Sequence, residues 1–232
     1  MSKLQIKQRP LLSCPETFQG VSSFIAEILA RRGVQSEQEL DLKLKYLLAP
    51  KMKGLDQAIH IIDQAIDQQQ KIVIVGDYDA DGATSTALMI LALREMGANV
   101  QYLVPDRFKY GYGLTPAIAD LAFAKFQPDV LVTVDNGISS HAGVAQAQAH
   151  GMQVVITDHH LTTKETPAAE AVVNPNQLDC EFPSKALAGV GVAFYVLANL
   201  ASLRNRQGKS TSKVTQYLDL VALGTYADVA SL

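Results

Sequence analysis

The sequence is poor in cysteine. Cys14 and Cys180 are its only two, far apart and in no C-x-x-C pair, so neither a disulfide framework nor a thiolate zinc site is suggested. It also lacks a long apolar run: none exceeds the length of Ala87 to Leu93, which is far short of the roughly 20 residues a membrane-spanning helix needs. The opening MSKLQIKQRP has no apolar core of the kind a secretory leader carries, so a soluble, cytoplasmic protein with no membrane association is expected. A basic excess is missing too. The net charge of −3 speaks against a nucleic-acid partner, because phosphate binding normally shows as a positive balance. Acids that sit in metal-binding motifs count differently, since a divalent cation reverses the local sign. What is present is apolar: 48% hydrophobic residues in a chain of 232 can bury the core of one large domain or two small ones.

The first part of the chain reads as helical. SFIAEILARRG is apolar at helical spacing and ends on Gly33, Ser36 with Glu39 forms a capping-box pattern for a second helix, and Leu55, Ile59, Ile62 and Ile66 mark a third. Segments 71–75, 99–104, 129–134, 152–157 and 170–173 are short, β-branched and nearly all apolar, as strands buried on both faces should be. Helical stretches separate the first four: Thr84 to Met96, Pro116 to Phe126, and Ser139 to His150. The alternation predicts an α/β fold, a doubly wound, mainly parallel five-stranded sheet with helices on both faces and ligands beyond the carboxyl ends of the strands. The expected division is a helical segment 1–70 packed on the core, then a catalytic domain 71–232. RNRQGKSTSK (204–213) reads as a linker between a small-residue helix near 185–203 and a last helix from Val214 to Leu223.

Three strand ends deliver acids or histidines: GDYDADG (76–82), VDNG (134–137) and TDHH (157–160), with a later acid in GTYAD (224–228). Hard carboxylate oxygens with one or two imidazoles suit Mn²⁺ or Mg²⁺, and crowded carboxylates repel unless cations neutralise them. An Asp after a strand is more often a turn former or helix cap, but three at one sheet edge point together to a metal site. DYDADG also opens like an EF-hand loop, yet Leu88 stands where the loop needs a bidentate Glu and a strand leads into it. A phosphate loop fails as well, since Ala83 and Thr84 follow Gly82 where Lys and Ser or Thr are needed. Gly82 is expected to permit a tight turn that lets Asp77, Asp79 and Asp81 face one point. Arg107 and Lys109, amid Tyr110 and Tyr112, could hold the 5′ end of a strand by guanidinium contact with phosphate and stacking on bases. The alternative there is a solvated basic loop with tyrosines in the core. Gly189 and Gly191 read as sites of close helix packing, and His60, His141 and His150 as surface or core residues.

GDYDADGATS, VDNG, DHH and GTYADV, in this order, resemble the four motifs of the DHH phosphoesterases. ILARRGVQSEQELD, PDRFKYGYGL (105–114), VVNPNQ (172–177), LAGVGVAF (187–194) and DLVALGT (219–225) resemble in particular the family's single-stranded-DNA-specific exonuclease branch. The likeness covers nearly the whole chain. It departs at Tyr226, where the family more often has Val, and at the following ASL. The resemblance implies that two or three of Asp77, Asp79 and Asp81 hold metal, that Asp135 bridges two ions, and that His159 and Asp228 are further ligands. It implies that Asp158 orients its neighbours and that His160 faces the scissile phosphate. The catalytic set is then Asp135, Asp158, His159 and His160, with two Mn²⁺ or Mg²⁺ ions as cofactors and Arg107, Lys109 and Tyr112 toward DNA.

The implied activity is 5′→3′ hydrolysis of single-stranded DNA to 5′ mononucleotides in repair and recombination, with a single-strand-binding protein or a helicase as partner. The rivals are a small-substrate phosphodiesterase or pyrophosphatase of the same family, and a non-catalytic interaction module. Small-substrate branches often carry a His where this chain has Val73, and the non-catalytic relatives lack ligands that are present here. The resemblance also implies that a DHH-associated domain and an oligonucleotide-binding fold are absent from this chain, so that it would chelate metal yet bind DNA weakly.

Overall fold

Short runs of Val, Ile and Leu become strands here because both of their faces are covered, except in the edge segment 99–103, where the expected burial on both faces fails and Asn99, Gln101 and Tyr102 are exposed. The computed structural model describes residues 7–230 apart from 15, 17, 19, 42, 163 and 164. Its sheet consists of β1 (Lys71–Gly76), β2 (Asn99–Leu103), β3 (Val130–Val134), β4 (Gln153–Thr157) and β5 (Ala171–Val173). All pairs are parallel, in the order β2-β1-β3-β4-β5. Ile72, Ile74, Val132 and Val155 face a core shared with α2 (Leu55–Asp67), α3 (Ala80–Glu95) and α7 (Gly189–Arg206). Their neighbours Val73, Val75, Leu131 and Val154 face the other way, toward α5 (Pro116–Phe126) and α6 (His141–Ala149). This is the doubly wound α/β sheet expected from the sequence. The chain leaves β1 for β2 on one side and returns to β3 on the other, which puts the topological switch point between β1 and β3.

The chain divides into two compact units, Met1–Leu48 and Ala49–Leu232; the end residues Met1 and Leu232 lie outside the described residues. In the first unit, α1 (Ser23–Arg31) buries Ala26 and Ala30 with Phe18. The Ser36 and Glu39 pattern starts only a four-residue 3-10 turn, Glu37–Leu40, with the Ser36 amide donating to Glu39 at 3.1 Å. A capping signal shapes a first turn, but this segment has no buried face to extend it. The helix at 55–67 belongs to the second unit, whose core it joins.

Stretch 204–213 is not a linker. Arg204, in the last turn of α7, is buried and donates to Asp63 and to Asp67 of α2, and Lys209 bonds to the same two carboxylates. Ser212, Gln216 and Tyr217 donate to Glu95 of α3. The partners lie over a hundred residues away in sequence, so polar composition alone read as a loop. A 3-10 turn, Val214–Tyr217, then leads into α8 (Leu218–Ala227). Among the described residues no helix is long and apolar enough to cross a membrane.

Candidate metal centre

The register of the sheet lines up its carboxyl edge. Gly76 pairs with Val134, Val134 with Thr157, and Thr157 with Val173, so the next residues of four adjacent strands are Asp77, Asp135, Asp158 and Asn174. Asp135 takes a left-handed backbone conformation, φ +60°, with its amide bonded to the Thr157 carbonyl at 3.0 Å. Few non-glycine residues adopt that conformation without a local reason. Here it turns a 2% exposed carboxylate toward His159. Oδ1 of Asp135 and Nε2 of His159 stand 3.2 Å apart, yet both are buried and neither completes a hydrogen bond.

The first motif divides its acids between tasks. Asp79 caps its own helix, α3, accepting from the Gly82 amide at 3.0 Å. Asp81, in the first turn of α3, accepts from the amides of Gly189 and Val190 at 2.7 and 2.8 Å. It thereby caps α7, whose own N-cap residue Ala188 offers no side chain for the purpose. Asp77 accepts from Arg107 Nη2 at 3.0 Å and from the Tyr78 amide at 2.6 Å. Helix α3 begins at Ala80 rather than Thr84, so Gly82 sits within it and not in a turn. Gly82 is needed for a different reason: a Cβ there would lie 2.6 Å from the Asp77 carbonyl oxygen.

Among the described residues, three sets of donor atoms lie close enough to hold an ion: Asp77, Asp79 and Asp135; Asp81, His159 and Asp228; and Asp135, His159 and His160. His159 links the last two, with Nε2 3.8 Å from Asp81 and Nδ1 3.8 Å from Asp228 at the end of α8, and Asp135 joins the first and the third. Asp158, 1% exposed, accepts from His160 Nδ1 at 2.7 Å and from the amides of Ile138, His159 and His160. Asn174 and Asn176 donate to the carbonyls of His160 and His159, and Asn136 ties the ends of β1 and β3 through the carbonyls of Val75 and Val134.

The charges are out of balance. Burial raises the pKa of Asp135 to about 7, His159 opposing and Asp81 and Asp79 adding to the rise. Burial also raises Asp81, against the two α7 amides. His159 is raised too: burial disfavours its charge, but Asp135 and Asp228 outweigh it. The hydrogen bond to Asp158 is the largest cause that lifts His160 to about 9. Asp158 itself stays low despite its burial, because His160 and the backbone amides favour its charge. Carboxylates driven toward their neutral forms around two orphaned buried atoms are what a site built for cations shows when its own charges must balance.

The segment expected to be a basic loop forms a one-turn helix, α4 (Arg107–Tyr110), capped by Asp106, and it reaches this centre in part. The Arg107 guanidinium lies 5.5 and 5.9 Å from the ring centroids of Tyr78 and Tyr112, and Tyr112 Oη is 3.1 Å from His160 Nε2. Burial and the surrounding carboxylates raise the Tyr112 phenol. Lys109 is exposed and stands over the ring of Tyr110, which packs partly into the core. Gly191 touches Leu187, as a packing glycine would, whereas Gly189 abuts the Asp135 carboxylate. His60 and His141 are exposed, and His150 stacks on Phe123 and bonds to Asp120. Sequence reasoning missed Tyr78, Asn136, Asn174 and Asn176. The available signal was a polar side chain within three residues of the carboxyl ends of β1, β3 and β5.

The model of the DHH family, N-terminal domain, matches residues 71–225. The chain belongs to the DHH family. This DHH chain is 51% identical over 98% of its length to the single-stranded-DNA-specific exonuclease RecJ of Dickeya dadantii, and 45% identical over 99% to that of Escherichia coli. It spans 41% of each of those relatives. Among solved structures, RecJ of Thermus thermophilus in complex with Mn²⁺ superposes with a TM-score of 0.73 at 34% identity, covering 90% of this chain and 29% of that one. A crystal structure of exonuclease RecJ bound to manganese gives 0.68 at 37% identity, covering 79% and 45%.

Proposed function

We propose that this chain is the ion-binding catalytic part of a phosphodiester hydrolase that removes 5′ mononucleotides from single-stranded DNA in the 5′→3′ direction. The observation that carries the reading is the facing pair Asp135 Oδ1 and His159 Nε2, buried 3.2 Å apart without a well-aligned hydrogen bond, between two donor sets. Asp77, Asp79 and Asp135 would hold one Mn²⁺ or Mg²⁺, and Asp81, His159 and Asp228 the other, with Asp135 shared. Ions bound there would supply Lewis acidity and an acidified water for in-line attack at phosphorus. The relatives named RecJ are single-stranded-DNA-specific exonucleases, and manganese occupies related structures.

The chain's own groups do the rest. Asp158 keeps His160 protonated and turns its Nε2 edge outward, where it can donate to a phosphate oxygen. Tyr112 holds that edge in place until a phosphate takes it. Arg107, between Tyr78 and Tyr112, offers a guanidinium to phosphate and two ring faces to bases. Lys109, farther out, would meet the strand's backbone. A single-strand-binding protein or a helicase supplying the strand belongs to the same proposal.

The test incubates end-labelled single-stranded DNA and a cyclic dinucleotide side by side with Mn²⁺ and resolves the products by size. Mononucleotides released from the 5′ end of DNA support the reading. Cleavage of the cyclic dinucleotide alone would assign the chain to the small-substrate branch, and no cleavage of either would refute hydrolysis by this chain.

A further inference from the structure

Gly189 opens α7 where that helix meets the carboxylate cluster. A Cβ at this position would stand 2.6 Å from Asp135 Oδ1, 2.8 Å from its Cβ and 2.9 Å from its Cγ. Asp135 has no room to retreat, since its backbone is held at φ +60° and its amide is bonded to Thr157. Gly189 is held as well, because its amide and that of Val190 are bonded to the two oxygens of Asp81. One residue therefore touches two acids of different donor sets, Asp81 through its N–H and Asp135 through the side chain it lacks.

We propose that Gly189 is a positioning residue of the ion site. It sets the spacing between Asp81 and Asp135 and keeps Asp135 Oδ1 aimed at His159 Nε2. The inference rests on reading the cluster as a divalent-cation site. Plain packing is the rival account, and Gly191 in the same motif supplies its control: a Cβ there meets Leu187 Cδ1 at 2.4 Å and Cγ at 2.8 Å, atoms of one apolar side chain that can swing aside by rotating about its Cα–Cβ bond. A methyl group at 189 has only a fixed carboxylate to push. The displaced acid then loses its place between the donor sets.

The experiment titrates Mn²⁺ by calorimetry into the wild-type chain, Gly189→Ala and Gly191→Ala, and measures each melting temperature in chelator. Gly191→Ala should bind with near wild-type affinity, whereas Gly189→Ala should bind at least ~10-fold more weakly, as loss of a partner that orients a ligand does. A second cycle repeats Gly189→Ala in an Asp135→Gly background. Asp135→Gly removes the colliding carboxylate and suits φ +60°, so any melting penalty, or loss of fold, caused by Gly189→Ala should largely disappear there. Equal Mn²⁺ affinity in wild type and Gly189→Ala would overturn the proposal. So would a melting penalty that Asp135→Gly leaves undiminished. If the wild-type chain took up no Mn²⁺, the ion-site reading would fall, and the melting cycle would still decide whether Gly189 and Asp135 press on one another.

Discussion

At the scale of single residues, Asp135 concentrates the site's strain and its charge imbalance. Its folded pKa of about 7 lies above the ordinary 3.8 because burial disfavours the charge. A raised carboxylate stabilises the fold at low pH and loses that contribution as pH rises through its folded value. In chelator, the melting temperature of the wild-type chain should therefore fall between pH 4 and about pH 7 more steeply than that of Asp135→Asn, with saturating Mn²⁺ removing the difference in slope. Identical slopes in chelator would show that Asp135 is not held in its neutral form. Asp135→Ala should keep a folded circular-dichroism spectrum while hydrolysis falls by at least ~10²-fold; near-normal turnover would remove it from the mechanism. The acids Asp77, Asp135 and Asp158 were readable in the sequence, since each follows an apolar strand. Their division of labour was not. Asp81 as the cap of a helix 108 residues later, and Gly82 and Gly189 as gaps left for a carbonyl and a carboxylate, depend on contacts that no local pattern encodes.

At the scale of elements, the inner strands and most helices could be read because burial on both faces leaves near-continuous Val, Ile and Leu, and because Thr115 and Pro116 or Gly97 and Gly151 mark helix ends. The failures share a cause. The Ser36 cap had no apolar face to support it, and the polar stretch after α7 had distant acidic partners. Those partners make a prediction. Arg204→Ala leaves Asp63 buried beside only Lys209 and should cost about 3 to 5 kcal/mol in urea unfolding. A loss within experimental error would mean that α2 and α7 are joined by their apolar faces alone.

At the scale of the whole molecule, the strand order 2-1-3-4-5 and a level register bring residues from positions 77 to 174 into one row at the switch point. Helices α3, α7 and α8 then close in from one face with Asp81, Gly189 and Asp228. A parallel sheet of this type is legible from alternation alone, which is why the place of the site could be anticipated while its geometry could not. The central claim is that the row and its helices form a two-ion centre sharing Asp135. Its most direct test is electron paramagnetic resonance of the chain titrated with Mn²⁺. The expected result is uptake of two ions per chain and, at saturation, the spin-coupled spectrum of manganese ions about 3.5 to 4 Å apart, lost in Asp135→Ala. Saturation with only uncoupled signals, or no protein-bound manganese at all, would contradict it.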